Sequence, residues 1–164
     1  MQISDEAKQL LTFHKLNIIT LVGGVDMNKD MKAIGRPGGF DIVVATPGRF
    51  LAHLQDTRGM AAKMKGVKFL VLDEADRLLD MGFSRDIYKI ASYLPSNDKD
   101  GNSRQTFLFS ATFSDEIKKV ANTFLRKGYA VIDTVGEEVE QTHSHVPQSI
   151  VTVPTGDHSC KYEH

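Results

Sequence analysis

The sequence predicts an α/β fold in which a parallel sheet is wrapped by helices, and three observations lead there. Short apolar, β-branched runs alternate along the chain with stretches of helical periodicity, the pattern of right-handed βαβ units. The strand cores Ile42-Val43-Val44 and Phe69-Leu70-Val71-Leu72 are continuously apolar, as strands covered on both faces require. The chemically distinctive turns all follow strands, and ligands of parallel sheets gather beyond the strands' carboxyl ends.

Taken in order, Ile3, Ala7, Leu10, Leu11 and His14 share one face of a helix over residues 2–14. Ile18 to Val22 is a β-branched strand closed by Gly23-Gly24. A polar helix near 26–34 ends at Gly35, and Asp41 to Ala45 is a second strand. Thr46-Pro47-Gly48-Arg49 then opens a helix carrying Phe50, Leu51 and Leu54. The third strand is Phe69 to Leu72, after which helical spacing runs from Ala75 through Ile87, Ile90, Ala91 and Leu94 to Pro95. Ser96 to Ser103 is a polar loop and Thr106 to Phe109 a fourth strand, ending in Ser110-Ala111-Thr112. Ser114 caps a helix with Ile117, Val120, Ala121, Phe124 and Leu125 at i, i+3, i+4, i+7 and i+8, and Gly128 closes it. Tyr129 to Val135 is a fifth strand. Residues 136–164 are acidic and histidine-bearing, with little periodicity, and read as a linker.

With 164 residues, 41% of them hydrophobic and 25% charged, the chain is one soluble domain's worth of polypeptide. A formal net charge of −1 excludes a bulk positive field, so nucleic acid must be held by a local basic face or by backbone amides. One cysteine, Cys160, excludes an internal disulfide framework and suits a reducing, intracellular compartment. No apolar run approaches the length of a membrane span, so no membrane partner is expected. Met1-Gln2-Ile3-Ser4-Asp5-Glu6 is neither a secretion signal nor an Arg-rich transit peptide.

Phe69 to Asp76 is an apolar strand that ends in three carboxylates within four positions. Asp73 is placed to hold Mg²⁺ through its water shell, and Glu74 to orient or deprotonate an attacking water, as a Mg²⁺-nucleotide site requires. The same residues also suit an acidic helix start. Asp76 lies too far along to share the metal and can instead accept hydrogen bonds from a neighbouring strand end, where Ser110 and Thr112 supply hydroxyls. Alone, Ser110-Ala111-Thr112 is equally a polar turn before a capped helix. In Thr46-Pro47-Gly48-Arg49, Thr is a possible N-cap, Pro suits the first helical turn and Gly admits a close backbone. These make an anion pocket beside an arginine that fits a phosphodiester, or an ordinary helix start. Gly23-Gly24 lets a nucleic-acid backbone come close or simply makes a turn. His143, His145, His158 and Cys160 are spaced too tightly for a usual zinc site and read as solvated tail. There is no Trp and no base-stacking platform, so contacts to phosphates and sugars, with little sequence specificity, are expected.

As an ordered set these turns resemble the DEAD-box family of ATP-dependent RNA helicases. Asp73-Glu74-Ala75-Asp76 carries its name, and Gly23-Gly24, Thr46-Pro47-Gly48-Arg49, Met81-Gly82-Phe83 and Ser110-Ala111-Thr112 match its other first-domain signatures. The resemblance spans residues 1–135. It implies a RecA-like (P-loop NTPase-type) parallel sheet and the cofactors ATP and Mg²⁺, with Asp73 and Glu74 serving hydrolysis. Ser110 and Thr112 would couple hydrolysis to strand separation. Gly23, Gly24, Thr46, Pro47, Gly48 and Arg49 would touch the RNA backbone. Residues 129–153 look somewhat like the organellar branch of the family, a slight lean to the mitochondrion over cytoplasm or nucleus.

The departures matter as well. No G-x-x-x-x-G-K-[ST] phosphate loop occurs in the chain, nor does the family's adenine-reading glutamine motif, and the second RecA-like domain with its arginine fingers is absent. The chain therefore looks like an internal piece of a first RecA-like domain, incomplete at its N-terminus, with residues 136–164 leading towards the second domain. Alone it is expected to be inactive in ATP hydrolysis and prone to self-association along exposed strand edges. The alternative is a truncated, non-catalytic module that binds RNA backbone.

Overall fold

The computed structural model describes residues 2–97 and 103–134. A compact unit spans Met1–Tyr129, and a second begins at Ala130. Within the first, β1 (Ile18–Leu21), α2 (Met27–Ile34) and β2 (Ile42–Ala45) form a β–α–β crossover, with Ile18 opposite Ile42 and Leu21 opposite Ala45 in a parallel ladder. β3 (Phe69–Leu72) and β4 (Gln105–Leu108) form a second parallel pair, with Leu72 opposite Leu108. Preceding β1 are α1 (Gln2–Leu10) and a 3-10 turn at Leu11–Phe13. The remaining helices are α3 (Pro47–Asp56), α4 (Met60–Met64), α5 (Ala75–Asp80), α6 (Ser84–Tyr93) and α7 (Asp115–Phe124).

The expected single sheet is instead two parallel pairs among the described residues. No ladder joins them; side chains do. Ile90 and Leu94, at the end of α6 and just past it, enter a core with Ile19, Leu21, Leu51 and Leu54, while Ile87, one turn earlier, enters a second core with Leu72, Val120 and Phe124. Leu70 of β3 packs against both. Helix α6 is thus the rivet between the two pairs.

Coverage on both faces also fails at β3–β4. The helices cover the Leu70, Leu72 and Leu108 side, leaving Phe69 65%, Val71 54% and Phe107 39% exposed on the other. Strand side chains alternate between faces, so a continuously apolar strand looks the same in sequence whether one face is covered or two.

Three further elements depart from expectation. Helix α1 turns Ser4, not Ile3 and Leu10, inward, because the Ser4 hydroxyl bonds the Thr20 hydroxyl of β1 at 2.7 Å. Helix α7 ends at Phe124, before Gly128, because the Asn97 side-chain amide donates to the carbonyls of Thr123 and Leu125 at 3.1 and 3.0 Å and takes over its last-turn acceptors. No strand forms over the described part of 129–135, where Val131 and Ile132 are exposed. The four candidate zinc ligands and the 136–164 linker lie outside the described residues.

Candidate functional site

The parallel registers set the site. Leu72 opposite Leu108 makes β3 and β4 end side by side, so Asp73-Glu74-Ala75-Asp76 and Ser110-Ala111-Thr112 emerge together. The ladder carries on past the strands: Phe109 N donates to Leu72 O at 2.8 Å, and Ala75 N donates to Phe109 O at 2.9 Å. Between these anchors Glu74 is held at φ 48°, the only non-glycine with positive φ among the described residues. A side chain in that basin is strained by roughly 1–2 kcal/mol. The two cross-strand bonds hold it there. Ala75, whose amide makes the second of these bonds, is buried.

Asp76 joins the two turns. Its amide donates to Ser110 Oγ at 3.3 Å, and its Oδ2 accepts from Thr112 Oγ1 at 3.4 Å, both long bonds. Its Oδ1 accepts the Arg77 amide at 3.0 Å. Burial opposes ionisation, but the backbone amides of Arg77 and Asp76 itself and the Ser110 and Thr112 hydroxyls outweigh it, holding the carboxyl below its ordinary value. Asp73 and Glu74 are exposed. Asp73 Oδ1 accepts the Glu74 amide at 3.1 Å, and Glu74 Oε2 pairs with Arg77 Nη1 at 3.0 Å. Glu74, Asp76, Arg77, Asp80 and Ala111 line an open cleft at this rim.

The other pair builds the second half. Leu21 opposite Ala45 puts Gly23-Gly24 next to Thr46-Pro47-Gly48-Arg49, and Thr46 N donates to Leu21 O at 3.0 Å. Thr46 takes N-cap geometry with Pro47 in the first turn, but its hydroxyl makes no capping bond. The first amide of α3 with a backbone partner is that of Phe50, donated to Thr46 O at 3.0 Å. The earlier amides, those of Gly48 and Arg49, have no hydrogen-bond partner among the described residues, and Gly23 and Gly24 at the neighbouring strand end are exposed. Gly24 sits at φ 80° and needs to be glycine for its conformation, whereas Gly23 has no positive φ, and a methyl added to it would meet nothing within 4 Å. A methyl on Gly48 meets Asp86 Oδ2 at 3.7 Å and Phe83 Cε1 at 3.8 Å, which is ordinary contact. Phe83, in the turn after α5, and Asp86 of α6 thus lie beside the Thr-Pro-Gly-Arg turn.

Two of the residues expected to touch RNA are turned inward. Pro47 is buried and serves as the first helical residue. The Arg49 guanidinium is committed internally: Nε donates to Asp30 Oδ2 at 2.7 Å and Nη2 to the Val25 carbonyl. Asp30 and His53 complete that cluster and were not among the sequence candidates. The signal was there, since Arg49, His53 and Thr57 fall at i, i+4 and i+8, a polar stripe along an otherwise packed helix.

A sequence profile for the DEAD/DEAH box helicase family matches residues 1–120. The chain belongs to this family. DEAD-box ATP-dependent RNA helicase 26 of Oryza sativa subsp. japonica is 42% identical over 158 residues, covering 96% of this chain and 28% of that protein. A probable DEAD-box ATP-dependent RNA helicase 48 of Arabidopsis thaliana is 37% identical over 96% of the chain and 19% of its own length. Among solved structures, a DEAD box protein from Methanococcus jannaschii superposes with a TM-score of 0.64 at 36% identity, over 77% of this chain and 31% of that one. The yeast DEAD-box splicing factor Prp28 gives a TM-score of 0.58 at 31% identity, over 74% and 26%. The DEAD-box chain thus has a RecA-like α/β fold of parallel strands and helices, and spans under a third of the relatives it matches.

Proposed function

We propose that this chain is part of the first RecA-like domain of an ATP-dependent RNA helicase, supplying the hydrolytic carboxylates and one RNA-backbone face. The observation that carries the reading is the linkage of Asp76 to Ser110 and Thr112, which ties the acidic turn to the neighbouring strand end. Glu74 orients and deprotonates the attacking water, leaving its exposed pair with Arg77 to do so. Asp73 fits a metal held mainly by water and phosphate oxygens: its carboxylate is exposed, and no group of three or more protein ligands surrounds it among the described residues. Bound there, Mg²⁺ would neutralise charge on the transferring phosphoryl group. This sequence holds no G-x-x-x-x-G-K-[ST] motif, and the expected result of an ATPase assay on these 164 residues alone is a background rate.

RNA passes over Gly23, Gly24, Thr46 and Gly48, held by backbone amides. This mode suits a chain of net charge −1 and discriminates RNA from DNA through 2′-hydroxyl contacts. The test is Gly23→Ala and Gly48→Ala in this chain, with affinity for a single-stranded oligoribonucleotide and its DNA counterpart measured beside urea stability. Neither methyl is excluded by the fold, and alanine in α3 adds about 0.5–1 kcal/mol of helix propensity. The expected result is unchanged or higher stability with RNA affinity lowered about tenfold, one lost backbone contact. Unchanged RNA affinity in both variants would place the RNA elsewhere.

A further inference from the structure

Asp30 of α2, Arg49 and His53 of α3 form a charged cluster inside the molecule, with side chains only 7%, 13% and 0% exposed. A single oxygen, Asp30 Oδ2, meets both Arg49 Nε at 2.7 Å and His53 Nε2 at 3.0 Å, while His53 Nδ1 shares a 2.8 Å hydrogen bond with Thr57 Oγ1. The other arm of Arg49 donates to the carbonyl of Val25, the residue after Gly24. One side chain from the Thr-Pro-Gly-Arg turn therefore grips the Gly-Gly turn twice, at its exit and one helical turn into α2.

We infer that Asp30 and Arg49 are positioning residues that clamp the Gly23-Gly24 turn to the start of α3, so that both turns meet one RNA strand as a unit. The inference rests on the RNA-backbone reading above and deepens it. Burial is the physical reason. A guanidinium held by a buried carboxylate and a carbonyl has little freedom to leave for a solvated phosphate, whereas it can fix the spacing between the two turns. His53 holds the Asp30 carboxylate in register from the far side, and Thr57 holds His53.

The test uses the 164-residue chain carrying Arg49→Gln, Asp30→Asn and both changes, with two readouts. The first needs no RNA: hydrogen exchange of the Asn28 and Lys29 amides, which donate to Asp26 Oδ1 and Asp26 O at 3.0 and 3.1 Å at the exit of the Gly-Gly turn. Either variant is expected to speed it about tenfold, and the double variant no further, since each breaks the same clamp. The second is the affinity for labelled single-stranded oligouridine across a salt series. Arg49→Gln is expected to weaken binding about tenfold without changing the slope of log K against log salt. A slope smaller by about 0.7 makes Arg49 a direct phosphate contact and overturns the inference. Unchanged exchange at Asn28 and Lys29, or unchanged RNA affinity in folded protein, reduces the cluster to plain core and overturns it too. If Arg49→Gln does not fold, Arg49→Lys replaces it, and exchange intermediate between wild type and Asp30→Asn is the expected result. If the parent chain binds no RNA, the functional reading fails while the exchange experiment still decides the clamp.

Discussion

The strained backbone at Glu74 gives a measurable trade between stability and chemistry. Glu74 lies at φ 48°, ψ 52°, a basin that costs a side-chain-bearing residue roughly 1–2 kcal/mol and glycine almost nothing. Glu74→Gly removes that strain but adds about 0.5–1 kcal/mol of unfolded-chain entropy. Glu74→Ala keeps the strain. Both lose the 3.0 Å pair with Arg77, an exposed i, i+3 contact whose contribution of no more than about 0.5 kcal/mol cancels in the comparison. Glycine is therefore expected to be the more stable of the two by about 0.7 kcal/mol, the bounds being about 0 and 1.5. In urea that is a midpoint higher by about 0.3–0.5 M. Neither variant carries the carboxylate that the proposed reading assigns to water activation, so the comparison isolates the backbone. A glycine variant no more stable than the alanine variant would refute the reasoning, showing that the turn relaxes and that no strain is held between Leu72 and Phe109.

Asp76 ties stability to pH. Its folded carboxyl titrates below its ordinary value, so its contribution is complete above that value and is lost as pH falls through the folded one. Asp115 is also lowered, by its hydrogen bond and charge pairing with Lys118, so the measurement is a difference. Asp76→Asn and Thr112→Val are each expected to flatten the acid limb of stability against pH, and an acid limb identical to wild type in both would remove the linkage. The open face of β3–β4, where Phe69 stacks on Phe107 at 6.4 Å, is expected to drive association of this chain as concentration rises. Phe69→Lys with Phe107→Lys should keep it monomeric in sedimentation velocity; unchanged association would move the interface elsewhere.

The strand-then-turn order was legible because it is local. Ser114 capping α7, Gly35 ending α2, and the acidic, Gly-Gly, Thr-Pro-Gly-Arg and Ser-Ala-Thr turns each depend on residues within a few positions. That every one of these turns follows a parallel strand then brings them to one kind of strand end without further information.

What distance in the chain decides was not legible. Arg49 reads as a free cation until Asp30, nineteen positions away, and the Val25 carbonyl take its guanidinium. Ser4 reads as the polar side of α1 until Thr20 draws it inward, and α7 stops at Phe124 because of Asn97. Whether an apolar strand is covered once or twice, and whether four parallel strands make one sheet or two pairs, depends on which neighbours arrive at each edge and face. The left-handed turn at Glu74 is the sharpest case, since no residue there favours it and the long-range bonds that flank it, Phe109 N to Leu72 O and Ala75 N to Phe109 O, come from another strand. Local preferences amount to fractions of a kcal/mol per residue, whereas long-range hydrogen bonds and buried contacts are each worth about 1 kcal/mol or more, so the tertiary partners prevail where the two conflict.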